Sequence, residues 1–204
     1  QPGDGLVMLS HWKTQPQVEV LLRDRLPRGT VGHPDLSFDA RRIVFNYCDN
    51  TVEPRERRRF FLYELDLQTR QVRQITGKPG VDPLEGWDGR QTVLIEDFDP
   101  CYLPDGGIVF VSTRNQGFGR CHGGRYTPSY VLYRCEADGS KITRLSYGEA
   151  NEWNPAVLPD GQIIYTRWDY INRHDVLFQS LWTTRPDGTA TAHYYANSTR
   201  NPCM

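Results

Sequence analysis

The sequence predicts an all-β protein made of β-propeller blades, four-stranded antiparallel sheets forming an incomplete ring of about three to four. Three observations predict it. The first is an internal repeat. Asp99-Pro100-Cys101-Tyr102-Leu103-Pro104-Asp105-Gly106, running on to Ile108-Val109-Phe110, aligns with Asn154-Pro155-Ala156-Val157-Leu158-Pro159-Asp160-Gly161 and Ile163-Ile164-Tyr165, 55 residues later. A degenerate copy runs from His33-Pro34 through Ser37-Phe38-Asp39-Ala40 to Ile43-Val44-Phe45, 66 residues before the first. The second is a further hairpin in every copy, turning at Gln68-Thr69, Asp138-Gly139 and Asp187-Gly188. The third is composition. Only 38% of residues are apolar and mean hydropathy is −0.62, yet 12% are aromatic and there are 18 Gly and 14 Pro, as in a turn-rich sheet protein and unlike a disordered chain.

Each element follows from local chemistry. Pro-Asp-Gly makes a hairpin turn, because Pro presets φ near −65° and Gly tolerates positive φ. The apolar run behind it, such as Ile108-Val109-Phe110-Val111, is a buried strand. Tyr130–Tyr133 and 142–145 form the second hairpin, so each copy holds strands A to D in chain order. Residues 5–10 and 17–23 read as strands C and D of a preceding half blade, covering 1–32. Whole blades then span approximately 33–77, 96–147 and 151–198. A β-sandwich with similar hairpins is the alternative. Closed propellers have roughly four to eight blades, so a longer polypeptide or a protein partner is expected to complete the ring.

Connection lengths select a working face. A–B and C–D turns are short, whereas the B–C connections at 49–59, 115–129 and 170–179 and the D–A connection at 77–97 are long. They gather on one side, and long loops on a rigid scaffold are where binding resides.

Other classes recede. With 24 basic against 25 acidic residues there is no nucleic-acid footprint, and no apolar run reaches the roughly 20 residues of a membrane span. The cluster Arg55, Arg57, Arg58, Arg59, alternating with Glu53 and Glu56, reads as a solvated loop rather than an anion site. Cys48, Cys101, Cys121, Cys135 and Cys203 have neither disulfide-framework nor zinc-finger spacing. There is no Gly-x-Ser-x-Gly, P-loop, dinucleotide fingerprint or His-Glu-x-x-His.

The stretches Phe98–Arg114, Gly119-Arg120-Cys121-His122-Gly123, Ala137–Ser140, Asn151–Tyr170 and Leu181-Trp182-Thr183 resemble hydrazine synthase alpha-subunit-related proteins, and more broadly the TolB-like propeller family. The resemblance covers about residues 20–198. It implies an extracytoplasmic, periplasmic propeller within a larger redox protein. It also implies a cysteine, carried over here to Cys121, near a haem-linked zinc. Phe118 stands where a Cys-x-x-Cys-His motif needs its first cysteine, so these residues carry no covalent haem attachment.

Three candidate sites follow. Cys121 and His122, in a glycine-rich insertion, are good zinc ligands, although a structural zinc site needs about four. The plainer reading is a loop cysteine. Asp97, Asp99, Glu152 and Asn154 stand at the channel mouth. They could hold Ca²⁺ through oxygen ligands or act as acid and base, or simply cap strand ends and bond neighbouring blades. Arg167, Trp168, Asp169, Arg173 and His174 suit a partner interface, against a plain Arg–Asp brace of the loop. A binding or assembly module is the favoured reading. The alternatives are an oxidoreductase subunit using Cys121 and a TolB-like adaptor holding a peptide at the channel mouth.

Overall fold

The protein is described by a computed structural model over residues 5–80, 85–87, 92–117, 128–148, 151–168 and 179–195. It is an all-β propeller structure. A hairpin of β1 (Val7–Ser10) and β2 (Gln17–Val20) precedes a first four-stranded blade of β3 (Gly29–Leu36), β4 (Arg42–Asp49), β5 (Phe60–Asp66) and β6 (Val72–Gln74). The second blade comprises β9 (Asp97–Tyr102), β10 (Ile108–Ser112), β11 (Val131–Cys135) and β12 (Thr143–Arg144). The third comprises β13 (Glu152–Val157), β14 (Ile163–Trp168), β15 (Gln179–Thr184) and β16 (Ala192–Tyr195). Within each blade, strands pair antiparallel in chain order.

The turns form for the reasons their residues suggest. Leu103 N–H bonds the Gly107 carbonyl and Gly106 N–H the Leu103 carbonyl, at 2.8 and 2.9 Å; Leu158, Gly161 and Gln162 repeat the pattern. Gly106 and Gly161 hold φ of 88° and 84°, a region that a Cβ disfavours. The turn aspartate fixes the rest, as Asp105 Oδ1 accepts from Gly107 N–H at 2.9 Å and Asp160 Oδ1 from Gln162 N–H at 3.0 Å.

The core lies between blades. Val44, Leu62 and Ile75 of the first pack on Tyr102, Ile108, Phe110 and Val131 of the second. Val109, Val111 and Leu132 from the opposite face of the second blade pack on Ile163 and Tyr165 of the third. Each such fully buried aliphatic side chain contributes about 1.5–3 kcal/mol. Leu6, Leu21 and Leu22 dock the leading hairpin on Phe45 and Tyr47. Polar stitches recur with the repeat. Arg73 donates to the Ala137 carbonyl at 2.9 Å, and Arg134 to the Pro186 carbonyl at 3.1 Å.

The inner strands β3, β9 and β13 lie side by side. Antiparallel order puts their starts and the ends of β4, β10 and β14 at one rim, from which the connections after Asp49, Ser112 and Trp168 depart. One element was not expected. The connection at 77–97 contains a hairpin, β7 (Glu85–Trp87) with β8 (Thr92–Leu94). Its strands are too short to register as hydrophobic periodicity. Among the described residues no helix is long and apolar enough to cross a membrane.

Candidate functional site: the axial cavity

The inner strands share a kink. His33, Asp99 and Asn154 each precede the proline of their repeat and have φ of 43°, 49° and 49°. A side chain makes this left-handed region uncommon. At each kink the pairing slips, between Gly32 and Asp35, Val109 and Val111, and Trp153 and Ala156. These are β-bulges, one extra residue on the inner strand, which re-aim a side chain. A strained conformation repeated in three consecutive blades is a feature of the site rather than a local accident.

The bulges bring three blades together. Asp99, 6% exposed, contacts His33 Nδ1 through Oδ1 and accepts from the Asn154 backbone N–H through Oδ2 at 3.0 Å. A carboxylate only accepts, so Nδ1 is the donor in this contact. Asp35 makes the analogous blade-to-blade contact, accepting from Tyr102 N–H at 2.8 Å. His33, Asp99 and Asn154 line a cavity of about 570 Å³, within the usual range for ligand pockets. Phe98, Tyr130 and Trp153 give it aromatic walls, and Val111, Thr166 and Gln179 complete it. Phe98 meets Tyr130 edge-on at 5.5 Å, which fixes the wall.

The other two channel-mouth residues are braced inside. Asp97 is fully buried, and Arg114 grips it with Nε 3.2 Å from Oδ1 and Nη2 2.8 Å from Oδ2. Glu152 is fully buried too; its Oε2 accepts from Leu132 N–H at 2.9 Å and from the Ser146 hydroxyl. Burial pushes its carboxyl above the usual range, against the opposing pull of Ser146, Leu132 N–H and Arg167. Glu96 is raised likewise by burial, although Phe60 N–H bonds it.

Of the interface candidates, Arg167 lays its guanidinium over Trp182 at 4.6 Å, and Trp168 is 8% exposed. Asp169, Arg173 and His174 lie outside the described residues, as do Cys121 and His122. Among the described residues no group of three or more His, Cys, Asp or Glu could hold a metal ion. The described cysteines are unreactive in character. Cys48, Cys101 and Cys135 are buried, and burial pushes the thiols of Cys101 and Cys135 up to about 12.

Sequence reading missed His33 and the aromatic walls. His33 had a signal, since it occupies the pre-proline position that Asp99 and Asn154 occupy in their copies. Phe98 and Trp153 are likewise equivalent.

No protein-family model matches the chain, and no curated protein matches it. Solved structures do. TolB from Acinetobacter baumannii superposes with a TM-score of 0.55 at 18% identity, covering 93% of this chain and 40% of that one. The fold is a TolB-like β-propeller. Hydrazine synthase from Kuenenia stuttgartiensis matches this propeller with a TM-score of 0.59 at 16% identity, covering 88% of this chain and 27% of that one. Oligogalacturonate lyase in complex with manganese gives 0.57 at 12% identity, covering 95% and 48%. The propeller chain thus spans less than half the length of each of these structures, and at such identities the likeness establishes fold alone.

Proposed function

We propose that the chain is a binding and assembly module of an extracytoplasmic protein, which holds a cationic segment of a protein partner in the axial cavity. The observation carrying this reading is the convergence of His33, Asp99 and Asn154, from three blades, on one cavity. Among the described residues its lining includes one carboxylate and no lysine or arginine. Three aromatic side chains stand beside that carboxylate, and ring faces attract ammonium and guanidinium groups by about 0.5–2 kcal/mol. Asn154 and Gln179 add amide acceptors and Thr166 a hydroxyl, so a bound ammonium group would meet several acceptors. Membership of a larger redox protein and a periplasmic location belong to the same proposal, and rest on the resemblance in the sequence. The zinc- or haem-linked enzyme reading depends on Cys121 and His122, outside the described residues.

Calorimetric titration with a lysine-rich hexapeptide and its fully acetylated, uncharged counterpart tests the proposal. The charged peptide is expected to bind at least about tenfold more tightly, a difference of about 1.4 kcal/mol. Asp99→Asn should abolish that preference. Equal affinities, or no binding of either peptide below about 10 mM, would overturn the reading.

A further inference from the structure

A second cavity, chemically opposite to the first, opens at the same rim on the first blade. It has a volume of about 560 Å³ and lies between the start of β3, the end of β4 and the connection that follows. Arg28, Arg55 and Arg58 line it with Thr30 and Asn50, while Cys48 and Phe60 make it partly apolar. A cluster that reads in sequence as a solvated run is therefore divided. Arg55 and Arg58 face a cavity together with Arg28, which is distant in sequence.

The walls are fixed by local bonds. Asn50 N–H bonds the Arg28 carbonyl at 3.0 Å, and Thr51 engages Asp49 Oδ1 through its N–H at 2.8 Å and its hydroxyl at 2.6 Å. Those bonds order Asp49 without removing its charge, which Cys48 of the lining also feels. Arg58 is anchored through Nε to the Val52 carbonyl at 3.0 Å. Its Nη2 holds the carboxylate of Glu53, itself 71% exposed, at 2.7 Å. Asn50 Nδ2 donates to Thr30 Oγ1 at 3.0 Å, which leaves the Thr30 hydroxyl proton free to be donated. Glu96, the other acidic neighbour, is bonded to Phe60 N–H at 3.2 Å. Among the described residues the lining contains three guanidinium groups and no acid.

We infer that this cavity binds a small polyanion through its oxyanion groups, either carboxylates or phosphate. Guanidinium groups match both by paired N–H donors, and the Thr30 hydroxyl supplies a further donor. Glu53 marks how Arg58 receives a carboxylate, and competes with the ligand for it. The site is independent of the axial cavity, so neither depends on the other's ligand.

The test is calorimetry of the chain with citrate and, separately, with inorganic phosphate, at constant ionic strength set by chloride. At least one should bind with a Kd below about 1 mM, and the better of the two identifies carboxylate or phosphate as the source. The double variant Arg28→Ala/Arg55→Ala should weaken binding at least about tenfold. Glu53→Gln, which frees Arg58, should tighten it by about two- to fivefold. An unchanged melting temperature guards against misfolding, and Arg28→Lys/Arg55→Lys gives a milder check in which charge is retained but paired donors are lost. Absence of binding by both anions below about 10 mM, or binding indifferent to the arginine variants and to Glu53→Gln, would overturn the assignment. Asp99→Asn should leave anion binding unchanged, which separates this site from the axial one.

Discussion

Asp99 Oδ2 accepts a hydrogen bond at 3.0 Å from the backbone N–H of Asn154, the residue that occupies Asp99's own position in the next blade. One side chain thus bridges two repeats, and its other oxygen reaches His33 in the preceding one. Asp99→Ala leaves the Asn154 N–H without this acceptor at a place where the partner is 6% exposed. Asn154 is itself exposed, so water can replace the acceptor and the cost is that of one hydrogen bond, about 0.5–1.5 kcal/mol. Urea unfolding of the variant should show that loss, with an unchanged m-value.

Glycines at turns separate backbone strain from blade packing. Gly139 has φ of 85°, and a Cβ there would lie 2.1 Å from the Ile75 carbonyl oxygen of the neighbouring blade. Gly161 has φ of 84° with nothing within 4 Å of the same added atom. Gly161→Ala should cost about 1–2 kcal/mol for the left-handed conformation alone. Gly139→Ala should cost clearly more, because the first and second blades must also part. Equal melting temperatures for the two variants would contradict this packing.

Much of this architecture is legible in the residues. Pro-Asp-Gly, Asp-Gly and the apolar runs behind them specify turns and strands by local rules, and those rules repeat. The site is only partly legible, for a geometric reason. Strict alternation puts Asp97 and Asp99, or Glu152 and Asn154, on one face of a strand. The left-handed residue at the bulge breaks that alternation. Asp99 and Asn154 then line the cavity, whereas Asp97 and Glu152 are fully buried against Arg114 and Ser146. The β7–β8 hairpin escapes because two three-residue strands carry too few alternations. The arginine cavity escapes because Arg28 joins it from another segment.

The Asp97–Arg114 pair is buried, with side chains 0% and 8% exposed. Breaking such a pair from one side costs about 3–5 kcal/mol, while replacing both members by apolar groups costs far less. Arg114→Met should therefore destabilise strongly. Asp97→Leu combined with Arg114→Met should recover most of that loss in a double-mutant cycle followed by thermal unfolding.

Glu152 gives the protein a pH dependence of definite sign. Its folded carboxyl is raised above the ordinary 4.5, chiefly by burial, so the folded state holds the proton more tightly than the unfolded chain. Stability from this group is fully present below 4.5 and lost as pH rises through the raised value. Glu96 acts in the same direction. Exposed turn aspartates such as Asp138 and Asp187 are lowered by hydrogen bonds and act oppositely, below the ordinary 3.8. Above the ordinary 4.5 the raised glutamates, not the lowered aspartates, set the sign of this balance. Glu152→Gln should flatten the fall in melting temperature as pH rises through the raised value. An unaltered pH profile would contradict the assignment.

The convergence of three blades on one binding cavity is tested most directly by two-dimensional ¹H–¹⁵N NMR during titration with the lysine-rich hexapeptide. The backbone amides of His33, Asp99 and Asn154 and the Trp153 indole should shift together along one saturation curve. Shifts confined to a single blade, or to residues away from this cavity, would contradict the account.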